Sequence, residues 1–447
     1  MESASSRAPW PFFPNRGPRI SGGDGVWLIC DDGRRILDAA GGAIAANIGH
    51  GRQEVVDAMS KATPAYVAPV WRTPERDALV EQLESRWLAP HLTHQHFTCG
   101  GAEANETAVK LALLHFVARG QPERNVILAR EVSYHETTLG MAAISGHAAR
   151  RNGLENFLDS HPKIPTATPL HCPLGAHHPD AAQHFLAETR DRIEALGGER
   201  IAALLIEPIP GASGGAIVPP DGYLEGIRAL ADEYGFLIIA DEVMTGFGRI
   251  GHQFATDCWD LRPEILVAGK GLAEGYAALT GVYASDATAE PLAGAGYDLM
   301  FHTYAAMPAA CAAASSVLEI LEREQLVENA KLLGEHLATR LHKQLGAHPN
   351  VAEIRGMGLL QAVELVQDRD SLTPFPANTR LTHKIVAQGI KHDVYFYPGG
   401  TGVVRDIICL GPPLTSSRAE LDQMADVLTQ SISEVLASQP AREFYSN

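Results

Sequence analysis

The strongest constraint on the fold is an alternation in the middle of the chain. Short apolar runs at residues 126–128, 202–206, 236–240 and 265–268 are each bounded by polar or turn-forming residues. Strands buried on both faces of a parallel sheet have this pattern. Helical periodicity lies between and around the runs. After Ala104, the residues Ala108, Leu111, Ala112 and Phe116 fall on one helical face and Gly120 ends it. Residues 222–235 (GYLEGIRALADEYG) form a second amphipathic pattern, closed by Gly235. Strand, helix and strand in succession imply an α/β domain with a mostly parallel sheet. Beyond about Cys311, two helical patterns, strand-like segments around 358–365 and 406–410, and a last helix from Arg418 predict a smaller α+β domain. Near the start, Asp31, Asp32 and Gly33 separate two strand-like pieces and predict a hairpin.

Composition narrows the partners. The 447 residues carry 36 Lys plus Arg against 53 Asp plus Glu, a net charge of −17, which speaks against nucleic acid or an anionic membrane surface as the main partner. The six cysteines show no CxxC spacing, so neither a disulfide framework nor a zinc site is suggested and a reducing compartment fits best. The first residues lack the apolar run of a signal peptide, and no apolar stretch approaches the length of a membrane helix, so a soluble, cytoplasmic protein is expected. Residues up to about Asn15 are rich in Pro and Ser and read as an arm. The His-rich segment 159–184, with His161, His171, His177, His178 and His184, is irregular in spacing and reads as a surface or interface loop, not a metal site.

Four places interrupt the pattern of a merely packed domain. Gly100 and Gly101 feed directly into a helix, whose free amides make an anion site suited to a phosphate, although a glycine turn is also a plain connection. An apolar strand delivers Asp241 and Glu242 to its carboxyl end, where open α/β sheets bind ligands; an Asp there also serves as a helix cap. Lys270 sits between two glycines straight after another apolar run, where lost hydration favours a neutral, nucleophilic amine able to form a Schiff base; an ordinary loop lysine is the alternative. Tyr134 and His135 follow the run at 126–128, and an aromatic face there could stack on a planar ring or simply pack. Phosphate cradle, strand-end acid, flat partner and Schiff-base lysine together are what pyridoxal phosphate requires.

These residues lie in motifs that resemble the class III pyridoxal-phosphate-dependent aminotransferases, the family of ornithine, 4-aminobutyrate and ω-amino acid or amine:pyruvate transaminases. In order they read LDAAGGAIAANIGHG, GGAEANETAVKLA, SYHETTLG, IEPIPGASGG, IIADEVMTGFGR, LVAGKGLAEGY, FHTYAAMPAAC, EIRGMGLLQAVEL and LGPPLT, spanning about Gly25 to Val427. The resemblance implies the fold type I architecture of these enzymes, a homodimer with shared active sites, possibly paired into a tetramer, and an amine donor and oxo-acid acceptor as substrates. With it we expect residues 1–60 to join the small domain, 61–310 to form the large cofactor-binding domain and 311–447 the C-terminal small domain. By the same resemblance Lys270 matches the lysine that holds the cofactor, Asp241 the partner of the ring nitrogen, Tyr134 the stacking aromatic with His135 beside it, and Val243 the residue on the opposite ring face. Gly101 and Ala102 match the phosphate loop, Thr303 the threonine that reaches the phosphate from the other subunit, and Glu207 the glutamate beside the cofactor.

Departures from the family pattern bear on the substrate. Ornithine- and 4-aminobutyrate-type relatives carry a glutamate where this chain has Ala212 and an arginine where it has Cys409, a pair that switches the α-carboxylate site on and off. Without a bidentate cation there, 2-oxoglutarate bound in that manner is disfavoured. The amine:pyruvate branch is the closer match, with Arg405 the candidate for the acceptor carboxylate, or else a solvated loop arginine. Trp71 and Ile44 match pocket-lining positions, and Trp71 could equally be core. Glu136, Pro210 and Met307 replace a common glycine, glutamine and histidine. The same fold also serves decarboxylating transaminases, racemases, phospholyases and 2-oxoglutarate-dependent aminotransferases. A non-catalytic ligand-sensing protein fits poorly with both Lys270 and Asp241 present, and a nicotinamide enzyme lacks its GxGxxG.

Overall fold

The structure, a computed structural model, describes residues 17–158, 161–402 and 404–438; the arm expected before Asn15 and the start of the His-rich segment lie outside them. A seven-stranded sheet forms the centre, in the order His94–Thr98, Thr280–Ala284, Ile265–Ala268, Leu237–Asp241, Ile201–Ile206, Val126–Arg130 and Lys163–Ile164. The four apolar runs thus become four adjacent strands, and the three central ones are buried along their whole length because helices cover both faces. Six of the seven strands run the same way; Thr280–Ala284 alone opposes its neighbours. Neither it nor His94–Thr98 was legible as a strand, since neither repeats the bounded apolar pattern of the others.

The helix Gly101–Ala118 lays Ala104, Ala108, Leu111, Ala112 and Phe116 on one face of the sheet against Ile239, Val267 and Val282. Ala181–Leu196 and Tyr223–Tyr234 cover the other face through Phe185, Ile193, Leu224 and Ile227. Gly235 ends Tyr223–Tyr234 at φ 72°, a left-handed conformation that glycine adopts without a Cβ penalty. This layering aims the carboxyl ends of the parallel strands at one edge of the domain.

Two smaller sheets flank it. The hairpin expected around Gly33 forms from Trp27–Cys30 and Arg35–Asp38, with Ile20–Asp24 on one side. On the other side Val394–Tyr395 joins in parallel, pairing Val394 with Leu37, so residues far apart in sequence share one sheet. Val351–Met357, Leu360–Leu365, Val404–Leu410 and Tyr397–Thr401 make an antiparallel sheet. The helix Leu326–Leu345 buries Leu337, Leu341 and Leu345, a stripe at helical spacing worth roughly 1.5–3 kcal/mol per side chain. The divide expected at residue 310 falls inside the helix Pro308–Arg323, which packs on Gln53–Lys61 and Pro74–Arg86. One continuous apolar core runs from Val26 through Leu266 to Val435, so packing does not break at that point.

Candidate active site

Lys270 follows Ile265–Ala268 by two residues, with its backbone in the left-handed region at φ 40°. It lines a pocket together with Asn105, Tyr134, Glu136, Glu207, Asp241 and Val243. Burial pushes the Lys270 amine below its ordinary value, against the pull of Glu136, Asp241 and Glu207, which makes the neutral form more accessible. Among the described residues no group takes a hydrogen bond from its Nζ.

Asp241 ends the strand Leu237–Asp241 and is only 5% exposed. Its Oδ2 accepts hydrogen bonds from Asn105 Nδ2 at 2.9 Å and from His135 Nδ1 at 2.8 Å, and its Oδ1 accepts from the Val243 N–H at 3.1 Å. A carboxylate only accepts, so His135 carries its proton on Nδ1, and its buried Nε2 has no partner. Three donors from a helix, a loop and the next turn fix the direction of the carboxylate.

Glu207 comes directly after the strand Ile201–Ile206. It accepts from the backbone N–H groups of Tyr134 and Gly211, each at 3.1 Å, and so ties the aromatic loop to the loop that carries Ala212. Burial raises its carboxyl, with His135 and Arg130 opposing. Tyr134 donates through its hydroxyl to Glu136 Oε2 at 3.3 Å, and burial followed by the Glu136 charge pushes its phenol up to about 12. Gly101 and Ala102 open the helix Gly101–Ala118, so their amides head a helix N-terminus. A Cβ on Gly101 would lie 2.8 Å from Glu136 Oε1, so the Glu136 side chain packs directly against the helix start.

The structure thus gathers Lys270, Asp241, His135, Tyr134, Glu207 and Val243, with the start of the Gly101 helix, at one strand edge. It does not bring Trp71, Ile44, Arg405 or Thr303 into that pocket of the same chain. Ile44 is buried against Gly411, its side chain taken up by core packing. Trp71 is 68% exposed, so it is not core. Thr303 is also exposed. Arg405 donates to the Phe375 carbonyl at 2.8 Å and neighbours Asp406, so its cation is turned to the chain's own groups. Ala212 and Cys409 do come together, both flanking Gly399, and burial pushes the Cys409 thiol up to about 12 against the nearby Arg355 charge, so neither residue itself supplies a charge there. In the His-rich segment, His171 meets Glu364 at 2.6 Å and His177 meets Glu353 at 3.1 Å, contacts that fasten the loop to the small antiparallel sheet.

The family model for aminotransferase class-III matches residues 15–432. An uncharacterized aminotransferase of Bacillus subtilis is 32% identical over 432 residues, covering 95% of this chain and 97% of the relative. The chain belongs to the class III aminotransferases. Among solved structures, an (S)-enantioselective omega-transaminase from Thermomicrobium roseum is 36% identical with a TM-score of 0.87, over 94% of this chain and 93% of that one. An amine transaminase from an uncultivated Pseudomonas species, in a pyridoxal-phosphate-bound form, is 30% identical with a TM-score of 0.90, over 97% and 99%. This aminotransferase is accordingly a pyridoxal-phosphate enzyme of fold type I. Its residues fit the cofactor: a desolvated lysine without a partner, a fixed carboxylate, an aromatic wall and a glycine-led helix start face one pocket.

Sequence reasoning missed Asn105, although its place four residues into the helix from Gly101 puts it over the strand ends. It noted Glu136 only as a departure, yet the carboxylate faces both Lys270 and Gly101.

Proposed function

We propose that this aminotransferase moves an amino group from a primary amine or ω-amino acid to an oxo acid, pyruvate first among them, working as a homodimer in the cytoplasm. The observation that carries this reading is the meeting of Ala212 and Cys409, two uncharged residues at the positions where an α-carboxylate switch would need an acid and an arginine. The likeness to an amine transaminase and an omega-transaminase supports it. Six free cysteines fit a reducing compartment.

Bound pyridoxal phosphate supplies an aldehyde for the donor nitrogen and an electron-withdrawing ring that stabilises charge on the reacting carbon. In our reading, Lys270 Nζ anchors the cofactor at rest. Its desolvated amine, when free, would take up and return a proton at the donor carbon. Asp241, aimed by Asn105, His135 and the Val243 amide, would hold a proton on the ring nitrogen. Tyr134 and Val243, both lining the pocket, would confine the ring, and the Gly101 and Ala102 amides at the helix start would take the phosphate. Glu207 keeps the two loops around the pocket in register.

A second copy is favoured by an apolar face that a lone chain leaves bare. Tyr66, Val70, Trp71, Met300 and Tyr304 are each more than half exposed, and the Tyr66 and Tyr304 rings meet edge to face at 6.5 Å. Thr303, next to Tyr304, is exposed too, and in our reading it and Trp71 serve the partner's pocket.

The test is a visible spectrum of the purified enzyme mixed with 1-phenylethylamine and no acceptor, with Lys270→Ala as control. Bleaching of the resting absorbance, its recovery on adding pyruvate, and an inert Lys270→Ala are expected. A response only to α-amino acids, or recovery only with 2-oxoglutarate, rejects the amine:pyruvate reading. Turnover without any acceptor points to racemase, decarboxylase or lyase chemistry instead.

A further inference from the structure

An oxo acid brings a carboxylate into the site, and neither Ala212 nor Cys409 can meet it. The arginines packed around the pocket are each turned to the chain's own groups, with Nε of Arg130, Arg249 and Arg405 buried and, among the described residues, without a hydrogen-bond partner. Arg249 is buried and gives hydrogen bonds to the Leu359 and Pro412 carbonyls and to Asn47, and Arg130 gives one to the Glu207 carbonyl. Arg355 is held by Glu353, Glu364 and the carbonyls of Gly214 and Gly215, and Arg405 by Phe375.

Arg150 differs from all of these. It stands exposed on the short helix Ala148–Arg151, with its guanidinium carbon 6.0 Å from the centroid of the Tyr134 ring, the ring that walls the Lys270 pocket. Among the described residues the guanidinium has no hydrogen bond and no ion pair. Its charge acts on the hydroxyls of both Tyr134 and Tyr397, the latter on the strand Tyr397–Thr401. His147 joins these two walls. Its ring packs on Tyr134 at 5.7 Å and its Nδ1 meets the Thr401 hydroxyl at 3.2 Å. Burial first, and then Arg150, push His147 down to about 4, so near neutrality it adds no second positive charge. Glu136 accepts a hydrogen bond from the Tyr134 phenol hydroxyl.

We infer that Arg150 receives the carboxylate of the oxo-acid acceptor at the mouth of the pocket, with Tyr134 and Tyr397 flanking it. The inference rests on the oxo-acid half of the proposed function. A guanidinium over an aromatic face keeps its in-plane N–H fork free for a carboxylate, and a long exposed side chain can move aside for a carboxylate-free donor. One pocket can then accept two chemically different partners.

The test uses the cofactor-loaded enzyme and propanoate, a carboxylate with no carbonyl to react, titrated calorimetrically into wild type, Arg150→Gln, Arg150→Lys and Arg405→Gln. Wild type is expected to bind, Arg150→Gln to bind about tenfold to a hundredfold more weakly, and Arg150→Lys to fall between. In turnover, Arg150→Gln should lose kcat/KM for pyruvate through KM, at least about tenfold more than it loses in the half-reaction with 1-phenylethylamine. Equal binding by Arg150→Gln and wild type, or a loss in Arg405→Gln that Arg150→Gln does not share, overturns the assignment. So does a wild type that does not bind propanoate. If propanoate binds through Arg150 while 1-phenylethylamine leaves the spectrum unchanged, the amine donor is wrong and Arg150 stands.

Discussion

Arg355→Met tests how the loop bearing Ala212 is held to the rest of the molecule. Arg355, on the strand Val351–Met357, donates from Nη1 to Glu353 and Glu364, each at 2.6 Å, and from Nε and Nη2 to the carbonyls of Gly215 and Gly214, each at 2.7 Å. Methionine fills similar space but leaves two acids and two buried carbonyls without their donor. Removing one partner of a buried ion pair costs about 3–5 kcal/mol. His171 and His177 remain on Glu364 and Glu353, so the lower end of that range is expected. Urea unfolding followed by circular dichroism at neutral pH measures the loss as a fall in the apparent free energy of unfolding. The pH dependence is a second, independent check. Burial alone would raise the Glu364 carboxyl, but the His171 hydrogen bond and the Arg355 charge hold it below its ordinary value of 4.5. A depressed folded-state value adds stability above the unfolded value, and that stability is lost as pH falls through the folded one. The gap between wild type and Arg355→Met should therefore narrow as pH drops below about 4.5. A loss under about 1 kcal/mol at neutral pH, or a gap that stays constant into acid, would refute the reasoning.

Two further outcomes follow from the same geometry. Burial raises the Glu242 carboxyl from 4.5 to about 7, against the Ala255 and Thr256 amides and the Thr245 hydroxyl that it accepts from. Its contribution is complete below 4.5 and lost as pH rises through about 7, so Glu242→Gln should lag wild type less at pH about 8 than at about 5, and a lag that grows with pH sinks this account. Trp71→Glu, at a side chain 68% exposed, should move the sedimenting species toward monomer without lowering the melting temperature of the monomeric chain; an unchanged sedimentation profile argues that another face pairs the chains.

The sequence alone was enough for the sheet's centre and for the chemistry. Bounded apolar runs too short for a helix fit strands covered on both sides, and they became Val126–Arg130, Ile201–Ile206, Leu237–Asp241 and Ile265–Ala268. Lys270 and Asp241 were legible because each follows or ends such a run, and the end of a parallel strand is where a side chain can face a ligand. What periodicity reports is which face a residue takes, not what stands opposite. Thr280–Ala284 reverses direction because its neighbours His94–Thr98 and Ile265–Ala268 leave it that slot, a fact no local pattern carries. The same holds for side chains. Asn105 meets Asp241 across 136 residues, and Arg405 turns to Phe375 while Arg150 is left free beside Tyr134. Trp71 lies bare on the surface of a single chain. Charge and aromaticity are written in the residue, but the partner of a charge, or the cover over an aromatic face, comes from segments that only the folded chain brings within a few ångströms.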